Sequence, residues 1–391
     1  MTKKRPSSSV RHLNWFGTKL VLSLFVLLCF LALLGLIHHS HSKLQSSSSS
    51  IFTSRRSRSF GSSNNFQGPP KVAFLFLARR KLPLDFLWGA FFKNGDAANF
   101  TIYIHSEPGF VFNESTTRSA FFYSRQLSKS VQVLWGEWSM VEAEKLLLES
   151  ALEDPANQRF VLLSDSCVPL YNFSHVYNYL MSSPRSFVDS FVDVRKGRYS
   201  PKMAPVIPKE KWRKGSQWIA LVRKHAEVVV DDDIIFPLFK KFCKRWLPFD
   251  LNNGSLIQIK VMQTLQKQHN CIPDEHYVQT LLAMHGLEDE LERRTLTYTL
   301  WNQSATSKGR RAWHPTTFNY TNAGPQQIKE IKDINHVYYK SEYRTEWCHT
   351  NSISTPCFLF ARKFSRGAAM RLLTEGAVGS FDFTALWSTP P

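Results

Sequence analysis

The stretch KVAFLFLA, Lys71 to Ala78, decides the fold class of this chain. It follows Pro69-Pro70 and is apolar at almost every position, which is typical of a strand buried on both faces of a parallel sheet. Phe100–His105 (FTIYIH), Val131–Trp135 (VQVLW) and Phe160–Leu163 (FVLL) repeat this pattern further along the chain. We therefore predict a set of parallel strands that begins at Lys71.

Helical patterns separate and follow these strands. Five of them occur, at Leu84–Phe92, Thr116–Leu127, Ser139–Leu152, Ile219–Val230 and Tyr277–Leu287. The third begins with Ser139 and Glu142 at the spacing of a capping box. Strands that alternate with helices predict an α/β fold, and sheets of this kind bind ligands at the carboxyl ends of their strands.

The residues before the first strand predict a membrane anchor. Leu20–Ile37 is an 18-residue apolar run, which would span about 27 Å as a helix. Residues 1–19 hold five Lys or Arg and no acid, so the positive-inside rule keeps them cytosolic. A cleaved signal peptide is the alternative, but its apolar core runs only about 7 to 15 residues. We predict a cytosolic tail (1–19), a transmembrane signal anchor (20–37), a disordered Ser-rich luminal stalk (38–70) and a luminal domain (71–391).

Sequons support the same location. Six N-x-Ser/Thr sequons follow the apolar run and are candidates for N-glycosylation: Asn99, Asn113, Asn172, Asn253, Asn302 and Asn319. Together with the anchor they predict a type II, single-pass membrane protein whose domain faces the lumen of the secretory pathway.

The charge of the chain is uneven. The formal net charge is +18, but residues 1–70 contain nine Lys or Arg and no acid. The remaining 40 basic and 31 acidic residues fit an anionic ligand, such as a nucleotide diphosphate or an acidic polysaccharide, and equally fit a merely soluble surface. Because zinc-finger spacings and RNA-binding aromatic motifs do not occur in the sequence, we predict no nucleic-acid partner.

The luminal cysteines predict disulfides. Five follow the anchor, at Cys167, Cys243, Cys271, Cys348 and Cys357. Cys243 with Cys271 and Cys348 with Cys357 are reasonable local pairs in an oxidising compartment, although the sequence does not fix the connectivity. The odd count leaves at least one thiol without an internal partner.

The sequence gives little support for a metal centre. It has no CxxC motif and no His-Cys cluster. Asp231-Asp232-Asp233 matches the Asp-x-Asp pattern with which many nucleotide-sugar enzymes hold a divalent metal. The run ends an apolar helical stretch, however, and this setting favours a solvated helix terminus. We predict no metal site.

Ser164–Pro169 (SDSCVP) follows the Phe160–Leu163 strand, at the edge where α/β enzymes bind ligands. Asp165 stands between two serines and could bind the hydroxyls of a sugar or ribose. The alternative is a turn in which Asp165 is hydrogen-bonded to its own backbone. Position alone leaves both possibilities open, so Asp165 is a candidate substrate-binding residue.

Trp212–Trp218 (WRKGSQW) combines aromatic rings, cations and a glycine. Stacking on sugar rings and pairing with phosphates both use these groups. A buried Trp pair with cations that reach toward solvent is the alternative. Arg213, Lys214 and Trp218 are therefore candidate substrate-binding residues.

Two further segments carry charged groups. Cys271–Tyr277 (CIPDEHY) places Asp274 and Glu275 at the start of a helical pattern. Ordinary capping explains Asp274, because a helix N-terminus favours carboxylates, whereas spacing alone gives Glu275 no role. Cys357–Phe364 (CFLFARKF) ends an apolar stretch with paired cations, which could neutralise a departing diphosphate or lie on the surface at a strand end.

Seven motifs together resemble a known family. In chain order they are KVAFLFLARRKLPLDFLW, IYIHSEPG, LLSDSCVPL, WRKGSQW, PDEHY, WHPTTF and PCFLFARKF. Over about residues 71–370 the chain resembles the core-2/I-branching β-1,6-N-acetylglucosaminyltransferases and xylosyltransferases, in their plant, brittle-culm-like branch. The resemblance implies a GT-A-like nucleotide-sugar-binding fold with a mixed central sheet, in a single-pass Golgi enzyme. It also implies inverting transfer from a UDP-sugar, with no obligatory metal or other cofactor.

The resemblance also implies roles for individual residues. Glu275 matches the glutamate of the family's Pro-Asp-Glu motif, which acts as the catalytic base. Lys363 and Arg344 match basic residues that stabilise the diphosphate. Glu107 lies where the family often has an Asp that contacts the uridine end of the donor. Further candidates for donor or acceptor contacts are Asp165, Arg213, Lys214, Trp218 and Asp274.

The predicted reaction is broad in its substrates. The donor sugar is of the N-acetylglucosamine, xylose or glucuronic acid class, and the acceptor is a glycan, an arabinogalactan-protein or a cell-wall polysaccharide. A non-catalytic luminal glycan-binding or scaffolding protein that retains the fold is the alternative. The chain departs from the family in its Lys244–Asn270 interval, which is longer than expected for the plant branch, and its cysteines differ from those of the animal branching enzymes.

Overall fold

The computed structural model describes residues 27–32, 66–195, 197–244, 271–301, 315–350 and 353–376. The chain divides into two compact units, Met1–Arg55 and Arg56–Pro391. In the first unit, residues 27–32 are helical and exposed. Among the residues that the structure describes, no helix combines the length and apolarity needed to cross a membrane. Most of the predicted anchor and stalk lies outside the described residues, so the anchor, the stalk and the type II topology remain predictions.

The second unit contains the sheets and the helices that surround them. Its strands in chain order are β1 (Lys71–Leu77), β2 (Phe100–His105), β3 (Asn157–Ser164), β4 (Val168–Pro169), β5 (Ser186–Phe187), β6 (Phe191–Val192), β7 (Arg213–Lys214), β8 (Ala220–Val222), β9 (Leu291–Glu292), β10 (Thr297–Thr299), β11 (His336–Tyr339), β12 (Arg344–Trp347), β13 (His349–Thr350), β14 (Ile353–Ser354) and β15 (Phe360–Arg362). Its helices are α1 (Asp85–Lys93), α2 (Trp138–Leu152), α3 (Phe173–Ser182), α4 (Arg223–Asp231), α5 (Ile235–Phe242), α6 (Tyr277–Met284), α7 (Pro325–Lys332) and α8 (Arg366–Thr374).

The central sheet is mixed, as the sequence predicts. Its strand order is β2-β1-β3-β8-β5-β9. Strand β1 lies between β2 and β3 and pairs in parallel with both, which explains why five consecutive residues of β1 are buried. Strand β8 runs antiparallel to β3 and β5, and β9 runs parallel to β5. A second, three-stranded sheet has the order β10-β15-β4.

Aromatic side chains fill the core between β1 and α1. The Phe74 ring meets the edge of Phe92 at a centroid distance of 5.2 Å, and Phe76 meets Trp88 at 5.1 Å. The Trp88 indole nitrogen also donates a hydrogen bond of 3.0 Å to the Cys167 carbonyl. Each fully buried ring of this kind contributes about 2 to 3 kcal/mol of hydrophobic free energy. The aromatic packing therefore holds α1 against β1, and the Trp88 hydrogen bond holds the turn after β3 against α1.

Two sequence-predicted elements are wrong. Residues 131–135, predicted as a strand, have no regular structure, because the Val131 amide donates to His105 Nε2 and the Leu134 amide donates to Ser139 Oγ instead of to a neighbouring strand. The predicted capping box is wrong for the same reason, and α2 begins after Glu137 without a side-chain cap.

The second wrong element is the helix predicted over Thr116–Leu127. Only a 3-10 turn, Ala120–Phe122, forms there. Asp85 Oδ2 accepts hydrogen bonds from the Arg118 amide at 2.7 Å and from Thr117 Oγ1 at 2.9 Å. Side-chain bonds of this kind offer the backbone an alternative to helical hydrogen bonds.

The helical pattern at Ile219–Val230 begins in fact as strand β8, and helix α4 follows it from Arg223. The aspartate run lies at the end of α4, where Asp232 caps the next helix. Its Oδ1 accepts from the Ile235 amide and its Oδ2 from the Phe236 amide, each at 2.8 Å. These bonds agree with the interpretation of a helix terminus.

Both predicted disulfides are confirmed. Cys243 is bonded to Cys271, and Cys348 is bonded to Cys357. Cys167 is a buried free thiol. The first bridge closes the Lys244–Asn270 interval, of which residues 245–270 lie outside the described residues.

Four of the six sequons lie in the described residues. Asn113, Asn172 and Asn319 are exposed, and Asn99 is half-buried. Asn253 and Asn302 lie outside the described residues. Glycosylation of any of the six remains a prediction.

Candidate active site

A cavity of about 1190 Å³ opens at the carboxyl ends of the parallel strands. Ala78 follows β1, Ser106 follows β2 and Asp165 follows β3, and all three line it. The second sheet contributes residues from β10 and from the end of β15, so the cavity lies where the two sheets meet. This is the position at which open α/β sheets bind their ligands.

The cavity brings together most of the residues that the sequence singled out. Its walls include Glu107, Asp165, Lys214, Trp218, Asp274, Glu275 and Lys363. These residues come from five separate segments, so only the tertiary fold makes them neighbours. Arg213 and Arg344 do not line this cavity.

Glu275 lies in a 3-10 turn, Pro273–Glu275, immediately before α6. Its carboxylate is ion-paired with the Lys214 ammonium, and its side chain remains 31% exposed. The Gly215 amide donates a hydrogen bond of 2.9 Å to the Glu275 carbonyl, which fixes the turn against the loop that carries Lys214. A carboxylate held in this way is accessible to a substrate hydroxyl.

Asp274 has a different environment from its neighbour. It is buried, and its Oδ1 has no hydrogen-bond partner. Burial, together with the charge of Glu275, raises the pKa of Asp274 to about 7. The sequence-based explanation of Asp274 as a helix cap is wrong, because α6 has no side-chain cap.

A second buried carboxyl group lies near Asp274. Burial and the nearby charge of Asp274 raise the pKa of Glu144 well above its ordinary value. Glu144 Oε1 accepts a hydrogen bond of 3.2 Å from the Gln217 amide. Burial therefore disfavours the charged form of both Asp274, which lines the cavity, and Glu144, which does not line it.

Cations collect around Asp165. Burial raises the pKa of Asp165, while the charges of Arg79, Arg362 and Lys363 oppose that shift. Burial and the neighbouring charge of Arg362 lower the pKa of Lys363. The Arg362 guanidinium lies 4.3 Å from the centroid of the Trp218 ring, and its Nε has no partner.

These cations are available to a ligand. Among the ion pairs of the described residues, none joins Arg79, Arg362 or Lys363 to a carboxylate. A group of positive charges without ion-paired carboxylates attracts anions, and arginine and lysine are the usual partners of phosphate oxygens.

The two remaining predicted cations have other partners. Arg213 makes a bidentate pair with Glu288, at 2.8 and 2.9 Å. Arg344 is ion-paired with Glu342 at 2.7 Å and with Glu346, and it stacks on a tyrosine ring. The predicted contact of Arg344 with a diphosphate would require it to leave both carboxylates.

The sequence pattern missed several residues of the cavity. Arg79 lies two residues after the end of β1, so the rule that identified Asp165 at the end of β3 also points to it. Trp301, which is 48% exposed at the cavity, offers an aromatic face for a sugar ring. Asp189 and Tyr339 also line the cavity, but no local signal marks them, because their importance depends on contacts between distant segments.

Comparison with known proteins identifies the family of this chain. The model of the core-2/I-branching enzyme family matches residues 72–332, which include Glu275 and end before Lys363. The chain is also 54% identical over 313 residues to glycosyltransferase BC10 of Oryza sativa subsp. japonica, covering 78% of this chain and 76% of the rice protein. The chain therefore belongs to the core-2/I-branching enzyme family, and with it to the glycosyltransferases.

Proposed function

We propose that this protein is an inverting glycosyltransferase that moves a sugar from a UDP-sugar to a hydroxyl of a glycan, an arabinogalactan-protein or a cell-wall polysaccharide. The observation that carries the proposal is a single cavity that contains both an accessible carboxylate, Glu275, and a group of unpaired cations, Arg79, Arg362 and Lys363. Family membership and the name of the rice relative support glycosyl transfer in general.

The proposed reaction is one displacement. The acceptor oxygen attacks the anomeric carbon as Glu275 takes the hydroxyl proton, and the bond between that carbon and the UDP oxygen breaks on the opposite side. UDP leaves with the electron pair of the broken bond. Because the single step replaces one oxygen by another from the opposite face, the configuration at the anomeric carbon inverts.

The cations act on the leaving group. Negative charge grows on the diphosphate as the bond to the sugar breaks, and Arg362 and Lys363 are positioned to stabilise it. Two fixed positive charges supply the kind of stabilisation that a divalent ion gives in other nucleotide-sugar enzymes. We therefore propose that the reaction needs no metal. Transfer that persists in excess EDTA supports this, whereas loss on chelation with recovery on adding Mg²⁺ or Mn²⁺ contradicts it.

The donor sugar is of the N-acetylglucosamine, xylose or glucuronic acid class. The deciding experiment incubates the purified full chain with each UDP-sugar and with arabinogalactan or xylan acceptors, and then identifies the product linkage. A new glycosidic bond of inverted configuration supports the proposal. Glycan binding without turnover for every donor would favour the non-catalytic alternative.

We further propose that the enzyme works in the Golgi, anchored by Leu20–Ile37 with its catalytic domain in the lumen. The length of the apolar run and the basic residues before it support this topology. Protease added to sealed Golgi vesicles should leave the catalytic domain intact. Digestion of the domain before the vesicles are opened would contradict the topology.

A further inference from the structure

Asp189 joins two segments that are far apart in sequence. Its Oδ1 accepts a hydrogen bond of 2.6 Å from the Tyr339 hydroxyl on β11. Its Oδ2 accepts a bond of 2.8 Å from the Ser216 amide, just after β7. Asp189 also lines the cavity, and each of its carboxylate oxygens accepts a hydrogen bond from another residue of the protein.

The loop after β7 is confined between Asp189 and Glu275. The Gly215 amide donates to the Glu275 carbonyl at 2.9 Å. A Cβ atom on Gly215 would lie only 1.6 Å from the Asp189 carbonyl oxygen, so a larger residue cannot occupy this position without moving the backbone. Lys214, whose ammonium pairs with the Glu275 carboxylate, is the preceding residue.

The β11–β12 hairpin reinforces the same loop from a second point. Glu342, between the two strands, accepts a hydrogen bond of 2.8 Å from the Val192 amide. Val192 belongs to β6, which pairs with the β7 strand that contains Lys214. The Arg344 guanidinium lies 4.2 Å from the centroid of the Tyr339 ring and keeps that ring in place. The hairpin therefore contacts the loop both through Asp189 and through β6.

We propose that Asp189, held by Tyr339, is a positioning residue that fixes the Lys214 loop so that the ammonium stays paired with the Glu275 carboxylate. The inference rests on the proposed function of Glu275 as base. A base must stay within hydrogen-bond reach of the acceptor hydroxyl, and small displacements of a positioned group lower the rate strongly. Neither Asp189 nor Tyr339 takes a proton or a phosphate in this scheme.

The test is a double-mutant cycle on the full-length enzyme. Tyr339→Phe removes the hydrogen bond to Asp189, and Asp189→Asn removes the negative charge that accepts both of its bonds. Each substitution is made in the wild type and in the Lys214→Ala variant. In the wild type each should lower kcat by about 10- to 100-fold, the range expected for a lost bond to a charged group, with the KM for the UDP-sugar nearly unchanged. In the Lys214→Ala background the same substitutions should have little further effect, because the ion pair they position is already absent.

Tyr338→Phe is the matched control. Tyr338 lies on the same hairpin, is 56% exposed and does not line the cavity, so its loss of a hydroxyl should leave kcat unchanged. Tyr339→Phe keeps the ring beneath Arg344 and serves as the second variant if Asp189→Asn does not fold.

Two outcomes overturn the inference. The first is an unchanged kcat in Tyr339→Phe. The second is a double variant whose fold-loss in kcat equals the product of the losses in Lys214→Ala and in the other single variant. Transfer by Glu275→Gln is measured in the same experiment, so that failure of this inference can be distinguished from failure of the proposed function. If Glu275→Gln loses transfer while the Asp189 and Tyr339 variants keep it, only this inference fails. If Glu275→Gln keeps transfer, the proposed function itself fails.

Discussion

Asp274 and Glu275 are adjacent in sequence, yet their carboxyl groups lie in opposite environments. Asp274 is 5% exposed and has an unpartnered Oδ1, whereas the Glu275 side chain is 31% exposed and faces the Lys214 ammonium. Two neighbouring carboxylates repel each other, so burying one in its neutral form relieves the repulsion. The turn before α6 therefore presents one charged carboxylate to the cavity.

Glu275→Gln tests the role of that carboxylate. The amide keeps the shape of the side chain but cannot take a proton, so transfer should fall by about 10²- to 10⁴-fold. Binding of UDP, measured by calorimetry, should be nearly unchanged. Glu114→Gln, at an exposed position away from the cavity, is the control. Normal turnover of Glu275→Gln would rule out its function as the base.

Asp274→Asn tests the buried carboxyl through the pH dependence of stability. In the unfolded chain Asp274 ionises near its ordinary value of 3.8, but in the folded protein it keeps its proton until about pH 7. The wild type therefore loses stability as the pH rises between these values, whereas asparagine does not titrate. The free energy of unfolding of the variant, relative to that of the wild type, should therefore increase by up to about 4 kcal/mol as the pH rises from the lower to the upper of these two pKa values.

Urea unfolding of both proteins at several pH values between 4 and 8 measures this difference. Asp233→Asn, at an exposed aspartate, controls for the substitution itself. If the difference in free energy of unfolding between Asp274→Asn and the wild type does not change with pH, Asp274 has the same pKa in the folded and unfolded states.

Lys363→Ala tests the site of the diphosphate. The ammonium lies beside Arg362 at the end of β15 and makes no ion pair with a carboxylate of the described residues. Loss of one charge-assisted bond to a phosphate should weaken UDP binding by about 10- to 100-fold. Lys93→Ala, at an exposed lysine at the end of α1, should bind UDP normally. Equal affinity of Lys363→Ala and the wild type for UDP would place the diphosphate elsewhere.

The Cys243–Cys271 bridge should stabilise both the fold and the site. It joins residues 28 apart in sequence and ends two residues before Pro273, which begins the turn that contains Glu275. Replacing both cysteines by serine should lower the free energy of unfolding by about 3 to 4 kcal/mol, the loop-closure value for a loop of this size. Thermal melting checks the stability, and transfer assays below the melting temperature check the site.

The comparison should include the wild type under reducing conditions. Because reduction also breaks the Cys348–Cys357 bridge, it should lower the free energy of unfolding by at least as much as the double-serine substitution. A double-serine variant as stable as the oxidised wild type would show that this bridge contributes little to folding.

Local sequence pattern predicted the strands in which most residues are buried. Strand β1 is buried at every interior position, so its apolar run predicted it correctly. The apolar patterns of β2 and β3 predicted those strands as well, although Thr101 and Tyr103 of β2 and Gln158 and Arg159 of β3 are only partly buried. Residues 131–135 have the same apolar composition but bond to His105 and Ser139 instead of to a strand. Composition does not reveal which partner a backbone amide finds, and this is why that prediction failed.

The sequence by itself determined the α/β class and most of the charged residues that line the cavity, because each depends on local composition or short spacing. It indicated the two cysteine pairs, and the structure fixed them. Only the tertiary structure decided their relations. It paired Lys214 with Glu275, buried Asp274, joined Asp189 to Tyr339 across 150 residues and turned Arg344 toward Glu342. Charges and hydrogen bonds act over a few ångströms in space, whatever the separation along the chain, so the chemistry of this site became visible only when the chain was folded.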